Sequence, residues 1–350
     1  MVNLLLVSAQ TEQSKGGIAV WTDMFLKEYS KFNINCDLLN IATIGVRSKE
    51  GNAKRNISDE FKRTRNIFRN LRKMLGAKSY DVAHINTSCG SFGLIRDYLT
   101  ALKIKNSQPS CKIIVHFHCD IQNQCHGKIS KCFLSKLLKI SDRALVLNKK
   151  NYDFLVNDYN FNSEIVPNFI TQDFVRTNHK DISPEISIAS FVGYVRPEKG
   201  IKELYELAFY FPNISFRLTG EVHEDVLSWN KPDNVILCGK KDREGLTQEL
   251  DKADIFMFLS HSEGFSVALL EAMSRGLPCV ATDVGANGEM LENKGGLIVP
   301  VGNISEAIKA VEYFKSYNNR KSASCWNLHK VKNFYTTETI LKRLHNIYES

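Results

Sequence analysis

The stretch richest in chemistry is Ser260-His261-Ser262-Glu263-Gly264-Phe265-Ser266-Val267-Ala268-Leu269-Leu270-Glu271-Ala272-Met273, where seven residues separate two glutamates. Residues 254–259 before it read as a buried strand, and a helix is expected to open near Ser266. A strand running through a short polar loop into a helix gathers backbone N–H groups and the positive helix end at one point, which suits a phosphate or a developing anion. Gly264 lets the backbone approach a ligand closely. Glu271 lies inside an apolar run, and a buried carboxylate needs hydrogen-bond donors. Ribose hydroxyls would supply them; an ion pair with Arg275 one turn on is the structural alternative. Glu263 reads either as an acceptor for sugar hydroxyls or as a solvated loop charge.

Four further segments follow the same strand–loop–helix logic. In Phe191-Val192-Gly193-Tyr194-Val195-Arg196-Pro197-Glu198-Lys199-Gly200, Arg196 and Lys199 can reach a pyrophosphate, Arg as a bidentate fork and Lys as a point charge. Gln13-Ser14-Lys15-Gly16-Gly17-Ile18 is a glycine turn between the first strand and first helix; its spacing is not the dinucleotide fingerprint, which argues against nicotinamide chemistry. Val115-His116-Phe117-His118-Cys119-Asp120 ends a strand with His116 and His118 on one face. These are legitimate zinc ligands, but no strong further ligand cluster accompanies them, so His118 reads better as a substrate contact at a cleft edge. Val284-Gly285-Ala286-Asn287-Gly288-Glu289 is a fifth such loop that could line the same crevice.

The elements that must carry these loops alternate between strand and helix, the pattern of parallel sheets covered by helices. Strands are expected at 3–9, 81–86, 112–117 and 144–148, with a helix over 18–32. A second series places strands at 188–193, 214–219, 234–238, 254–259, 278–282 and 296–299, with helices at 200–210, 243–252 and 266–275. In such sheets ligands bind beyond the carboxyl ends of the strands. The expected organisation is a first domain over 1–170, a linker over 171–187, a second domain over 188–325 and a helical C-terminal segment over 326–350.

A chain of 350 residues suits two cores, and its 43% hydrophobic and 24% charged fractions are ordinary for a globular protein. The net charge of +8 points only weakly to an anionic partner. Nine cysteines without a metal-ligand spacing read as reduced, mostly buried thiols, with a Cys119–Cys125 pair as the alternative. The apolar run at the N-terminus is too short to span a bilayer and lacks a basic leader, so a cytoplasmic location is expected.

In order and spacing these features resemble glycosyltransferase family 4, the glycosyl transferases group 1, a family of retaining enzymes. The resemblance runs from Gly16-Gly17 through His118, Ser141-Asp142-Arg143, Val166-Pro167-Asn168, Gly193…Arg196…Lys199-Gly200 and Gly239 to Glu263…Glu271, Gly285 and Gly295-Gly296. It implies the α/β GT-B fold: two Rossmann-like domains facing a central cleft, with a C-terminal helix crossing back to the first. It implies that Arg196 and Lys199 hold the donor diphosphate, Glu271 the ribose and Glu263 the transferred sugar. The backbone of Gly264, Phe265, Ser266 and Val267 would lie near phosphate and sugar, Gly17 would line the donor site from the other domain, and His118 would stand near the reacting sugar. Glu263, His118, Arg196 and Lys199 are thus the candidate catalytic groups. The implied chemistry is front-face transfer with retention, needing no cofactor and no metal. The chain departs from the family's pattern at Cys119-Asp120 and at Pro167-Asn168-Phe169, both on the acceptor side.

The implied partners are a UDP- or GDP-sugar donor and a carbohydrate acceptor, such as a lipid-linked oligosaccharide of bacterial surface polysaccharide, O-antigen among them. Residues 57–75 place Ile57, Phe61, Thr64, Phe68, Leu71 and Leu75 on one helical face opposite a crowd of Arg and Lys, and 128–143 repeat the pattern. Such helices either lie on an anionic membrane surface, here the inner face of the plasma membrane, or pack with a solvated basic face. A nucleotide-sugar-binding protein without transfer activity, or a phosphorylase or epimerase on the same fold, is the competing reading. No nucleic-acid motif occurs.

Overall fold

The computed structural model describes residues 1–11, 16–42 and 57–350. The chain divides into two compact units, Met1–Asn168 with Thr337–Ser350, and Phe169–Thr336. Residues 171–187 therefore belong to the body of the second unit.

The first unit holds a six-stranded parallel sheet, β1 (Val2–Ser8), β2 (Ile34–Asn40), β3 (Val82–Thr87), β4 (Lys112–Phe117), β5 (Arg143–Val146) and β6 (Ser163–Ile165), in the order β2-β1-β3-β4-β5-β6. Its central strands are buried because helices cover both faces of a parallel sheet; every residue of β3 is buried, the polar His84, Asn86 and Thr87 included. Its helices include α1 (Gly17–Glu28), α2 (Ile57–Ala77), α3 (Ser91–Ser107), α4 (Ile121–Gln124), α5 (Lys128–Ile140) and α6 (Lys149–Tyr159). The expected first helix over 18–32 breaks at Glu28 into a tight 3-10 turn, Tyr29–Phe32, that delivers the chain to β2 through Asn33 in the left-handed conformation. Helix α2 buries Ile67 and Leu71, but Phe61, expected on the same face, is 72% exposed.

The second unit repeats the plan with β7 (Ile188–Val192), β8 (Ser215–Thr219), β9 (Val235–Gly239), β10 (Ile255–Phe258), β11 (Cys279–Thr282) and β12 (Gly296–Val299), ordered β12-β11-β10-β7-β8-β9 and all parallel. Its helices are α7 (Ile201–Tyr210), α8 (Glu224–Leu227), α9 (Arg243–Lys252), α10 (Val267–Ser274), α11 (Asn287–Leu291), α12 (Ile304–Phe314) and α13 (Tyr317–Phe334). The helical segment expected over 326–350 is two helices: α13 stays in the second unit, and α14 (Thr337–Glu349) packs in the first. Buried Arg320 of α13 anchors the segment before β7, donating to the carbonyls of Ser183 and Pro184 at 2.6 and 3.0 Å.

Two parallel sheets, each flanked by helices, are the α/β architecture the alternating pattern predicts. The cysteines differ from expectation. Cys119 forms a disulfide with Cys89, and Cys125 remains free and buried. The physical reason is register: Thr87 and Phe117 are partners on adjacent strands, and Cys89 and Cys119 each stand two residues beyond them, whereas α4 separates Cys119 from Cys125. No helix among the described residues is long and apolar enough to cross a membrane.

Candidate functional site

In the second unit the strand order reverses between β7 and β10: the chain builds outward to β8 and β9 on one side and to β11 and β12 on the other. The loops leaving β7 and β10 both start at this reversal, the place where ligands of open α/β sheets bind. The first carries Arg196 and Lys199; the second carries Glu263.

The two loops are laced together. The His261 amide donates to the Glu198 carbonyl at 2.9 Å, and the hydroxyl of Ser260, fully buried, lies 3.5 Å from the same carbonyl. Gly200 has φ +74°, where an L side chain is strained, and a Cβ there would collide with the Leu259 backbone. Only glycine lets the β7 turn sit this close to the end of β10. The result is a direct ion pair between Lys199 and Glu263, whose side chains are 18% and 13% exposed. Glu263 is therefore not a solvated loop charge. Its alternative reading fails because 64 residues of chain return a cation to its side.

Ser266, 2% exposed, caps α10 by accepting from the Leu269 amide at 3.3 Å. The open first turn of that helix, with Gly264 and Val267, thus begins beside Glu263. Phe265 points its ring into the core against Tyr335, at a centroid distance of 5.8 Å, so only its backbone serves the loop. One turn into α10, the Glu271 carboxylate makes no hydrogen bond or ion pair with the described residues. Burial pushes its pKa up to about 7, against a smaller opposing pull from Arg243. The expected alternative of pairing with Arg275 is overturned: Arg275 instead grips Asp251 with two bonds of 2.9 and 2.6 Å and donates to the Phe174 carbonyl.

Arg196 lies over the Tyr194 ring at 5.5 Å and 3.6 Å from the Glu198 carboxylate, with 43% of its side chain exposed. Its guanidinium is available to a ligand. The loop after β11 also joins this end of the sheet: Gly285, at φ +56°, sits where a Cβ would lie 2.6 Å from the carbonyl oxygens of both Glu263 and Gly264. Arg196, Lys199, Glu263, Gly264, Phe265, Ser266, Val267 and Glu271 thus belong to one end of one sheet.

The remaining candidates lie in the first unit. Gly17 opens α1, and a Cβ there would meet no atom within 4 Å, so packing inside the protein does not require glycine. Gln13, Ser14 and Lys15 lie outside the described residues. His118 follows β4, and its Nε2 stands 3.0 Å from Asn86 Oδ1, an acceptor. His84 and His116 flank it, with ring centroids 5.3 Å apart from one another and His116 4.1 Å from His118, and Trp21 touches all three. Burial pushes the pKa of His84 and of His118 down to about 3 and that of His116 well below its ordinary value, so all three are neutral. Asn86 and His84 were not foreseen. The alternation His84-Ile85-Asn86 on a strand beside His116-Phe117-His118 is the signal that could have found them. Among the described residues no three His, Cys, Asp or Glu side chains are grouped to hold a metal ion.

Residues 177–325 match the family described as glycosyl transferases group 1. Among curated proteins, the N-acetyl-alpha-D-glucosaminyl L-malate synthase of Bacillus anthracis is 29% identical over 33% of this chain and 30% of its own length. The lipopolysaccharide core biosynthesis mannosyltransferase LpsB of Rhizobium meliloti is 27% identical over 40% of each chain. The chain thus spans 30% and 40% of the length of these two relatives. Among solved structures, Anabaena HepE in complex with UDP-glucose superposes with a TM-score of 0.75 over all of both chains at 13% identity, which shows a shared fold. Two parallel six-stranded Rossmann-like sheets of the GT-B type, with a match to the glycosyl transferases group 1 over residues 177–325, less than half of the chain, are what this protein shares with them.

Proposed function

We propose that this chain is a retaining hexosyltransferase that moves a hexose-type sugar from a nucleoside-diphosphate sugar to a carbohydrate acceptor. The observation that carries the reading is the half-buried Lys199–Glu263 pair at the strand-order reversal, next to a capped helix end and the Glu271 carboxylate, which has no partner among the described residues. A diphosphate entering there takes Lys199 from Glu263, and the freed Glu263 turns to the hydroxyls of the sugar. Arg196 and the first turn of α10 add positive charge where the leaving diphosphate accumulates negative charge as the anomeric C–O bond breaks. Glu271 accepts from ribose hydroxyls. The departing phosphate oxygen takes the acceptor's proton on the same face, so configuration is kept and no metal is needed. The base is uracil or guanine; the UDP-glucose bound by HepE supports uracil.

The acceptor in this reading is a lipid-linked oligosaccharide of a bacterial surface polysaccharide, such as lipopolysaccharide O-antigen; the lipopolysaccharide role in the name of LpsB supports it. The protein then works in the cytoplasm at the inner face of the membrane. Ile129 of α5 is 62% exposed between the exposed cations Lys128 and Lys131, an arrangement suited to an anionic lipid surface.

The test is transfer from a panel of UDP- and GDP-hexoses to lipid-linked oligosaccharides, with and without chelator, and NMR of the new anomeric linkage. Product of unchanged anomeric configuration, formed equally in chelator, is expected. Inverted configuration, or binding of donor without any product, would defeat the proposal in favour of an inverting enzyme or a binding protein. Co-sedimentation with phosphatidylglycerol vesicles tests the membrane surface, and failure to pellet at low salt would remove it.

A further inference from the structure

The second unit carries a cleft that the proposed reaction does not use. It lies at the amino end of the sheet, where the chain enters edge strand β12 at Gly296, opposite the strand ends that lead to Lys199 and Glu263. Three segments wall it. The last turn of α12 supplies Tyr313 and Phe314, and the turn before β12 supplies Asn293 and Lys294. Helix α13 supplies Asn319, Ser322 and Trp326, whose spacing of three and four places them on one face. The cavity measures about 300 Å³, the lower end of the ordinary range for small-molecule sites.

The walls are fixed by the protein itself. Glu292 and Asn293 both take the left-handed backbone conformation, at φ +47° and +51°, which strains Glu292 in particular. An ion pair with Lys330 of α13 holds Glu292 there, and the Lys330 ammonium also lies 5.7 Å over the Trp326 ring. A Cβ on Gly295 would come within 2.7 Å of that ring, so the turn is drawn tight against Trp326. Tyr313 packs across Phe314 at 77° with centroids 5.2 Å apart, and Asn319 Nδ2 donates to the Tyr313 carbonyl at 2.9 Å.

What these walls offer a ligand is neutral, and it both donates and accepts. The side chains of Asn293, Ser322, Tyr313 and Trp326 have no hydrogen-bond partner among the described residues. Amides and hydroxyls serve either way, and the indole N–H donates. Lys294 is the single charged residue of the lining. Tyr313, 49% exposed, adds an aromatic surface. A sugar ring matches both features: its hydroxyls donate and accept, and its C–H groups pack on the negative face of an aromatic ring. A phosphate or an acidic peptide would call for more than one cation. A nucleobase would call for parallel rings, whereas Phe314 stands across Tyr313 and is buried.

We propose that this cleft is a carbohydrate-binding site, separate from the donor site, that takes a neutral mono- or disaccharide unit against Tyr313 and Trp326. The lining chemistry carries the assignment without the transferase reading. Under that reading the site holds a stretch of glycan away from the strand ends where transfer takes place.

The experiment follows the indole N–H signals of the three tryptophans, Trp21, Trp229 and Trp326, by NMR of the full chain, with Trp326→Phe to assign the third. Maltose, lactose and mannobiose are titrated in turn to tens of millimolar, with and without excess UDP; uridine, guanosine and inorganic phosphate are the comparison probes. At least one disaccharide is expected to shift the Trp326 signal, equally with UDP present. Tyr313→Ala is expected to weaken that binding about tenfold. Should Tyr313→Ala fail to fold, Ser322→Phe, at an exposed position of α13, fills the cleft and is expected to abolish the shift. No movement of the Trp326 signal with any disaccharide overturns the site, and so does binding that is unchanged in the variants. Reversal by UDP would assign the sugar to the donor site instead, and a response to a nucleoside or to phosphate in place of the sugars would overturn the ligand class. Disaccharide binding here in a protein that transfers no sugar would uphold the cleft and refute the transferase reading.

Discussion

Glu271 should make donor binding depend on pH. Its carboxyl is held by α10 in surroundings that push its pKa from 4.5 to about 7, and its ionised form has no partner among the described residues. In the proposed reading ribose hydroxyls donate to the ionised carboxylate, which links binding to deprotonation. At pH 8 a group with that pKa is about nine-tenths ionised; at pH 5.5 it is about 3% ionised. If only the ionised form binds well, affinity for the donor should fall about 30-fold between the two. The assay is calorimetric titration with UDP-glucose rather than UDP, because a nucleotide sugar has no terminal phosphate to titrate in this range. Repeating it in buffers of different ionisation enthalpy should reveal about one proton released per donor at pH 6. Glu271→Gln should bind more weakly at pH 8 and show no pH dependence. Wild-type affinity that stays flat from pH 5.5 to 8 would refute the burial argument, and a Gln variant that keeps the wild-type slope would refute the role of Glu271.

The same shift acts on stability. The folded pKa lies above the unfolded one, so the contribution of Glu271 is fully present below pH 4.5 and is lost as pH rises through 7. Glu271→Gln should therefore stabilise the ligand-free protein at pH 8, by up to about 3 kcal/mol, and leave it unchanged at pH 4, as denaturant melts would show. Gly285→Ala forces a Cβ against the Glu263 and Gly264 carbonyls at a left-handed φ. It should cost about 1–3 kcal/mol and weaken donor binding together, measurable by thermal unfolding with and without UDP-glucose. Arg320→Met strips donors from the carbonyls of Phe314, Lys315, Ser183 and Pro184, and the melting midpoint should fall by about 3 kcal/mol or more of stability.

Much of the architecture is written locally. Ile255–Phe258 is buried on both faces and reads as a continuous apolar run, whereas Val82–Thr87 is equally buried but carries His84, Asn86 and Thr87. The edge strand Ile34–Asn40 escapes that reading because Asn35 and Asp37 face outward along it. The loops after strands were legible as candidate positions for a ligand from glycine and charge alone. What closes the site was not. Lys199 and Glu263 are 64 residues apart, and their pairing follows from the strand-order reversal that makes β7 and β10 neighbours. The link from His84 to Tyr348 spans 264 residues. Arg275 looked like the partner of Glu271 because the two share a helix face, but Asp251, on the preceding helix, offers a bidentate fit that an intrahelical carboxylate does not. The Cys89–Cys119 link likewise depends on a register between β3 and β4 that neither cysteine's neighbours reveal.

The central claim is that the end of the second sheet holds the diphosphate of a nucleotide sugar through Lys199. The most direct test is thermal unfolding of wild type and Lys199→Ala in the presence of UDP, GDP, ADP or CDP, since a ligand that binds only the folded state must raise its stability. The account predicts that UDP or GDP raises the wild-type melting temperature and leaves the variant unmoved. No shift with any of the four at millimolar concentration, or an equal shift in both proteins, would contradict it.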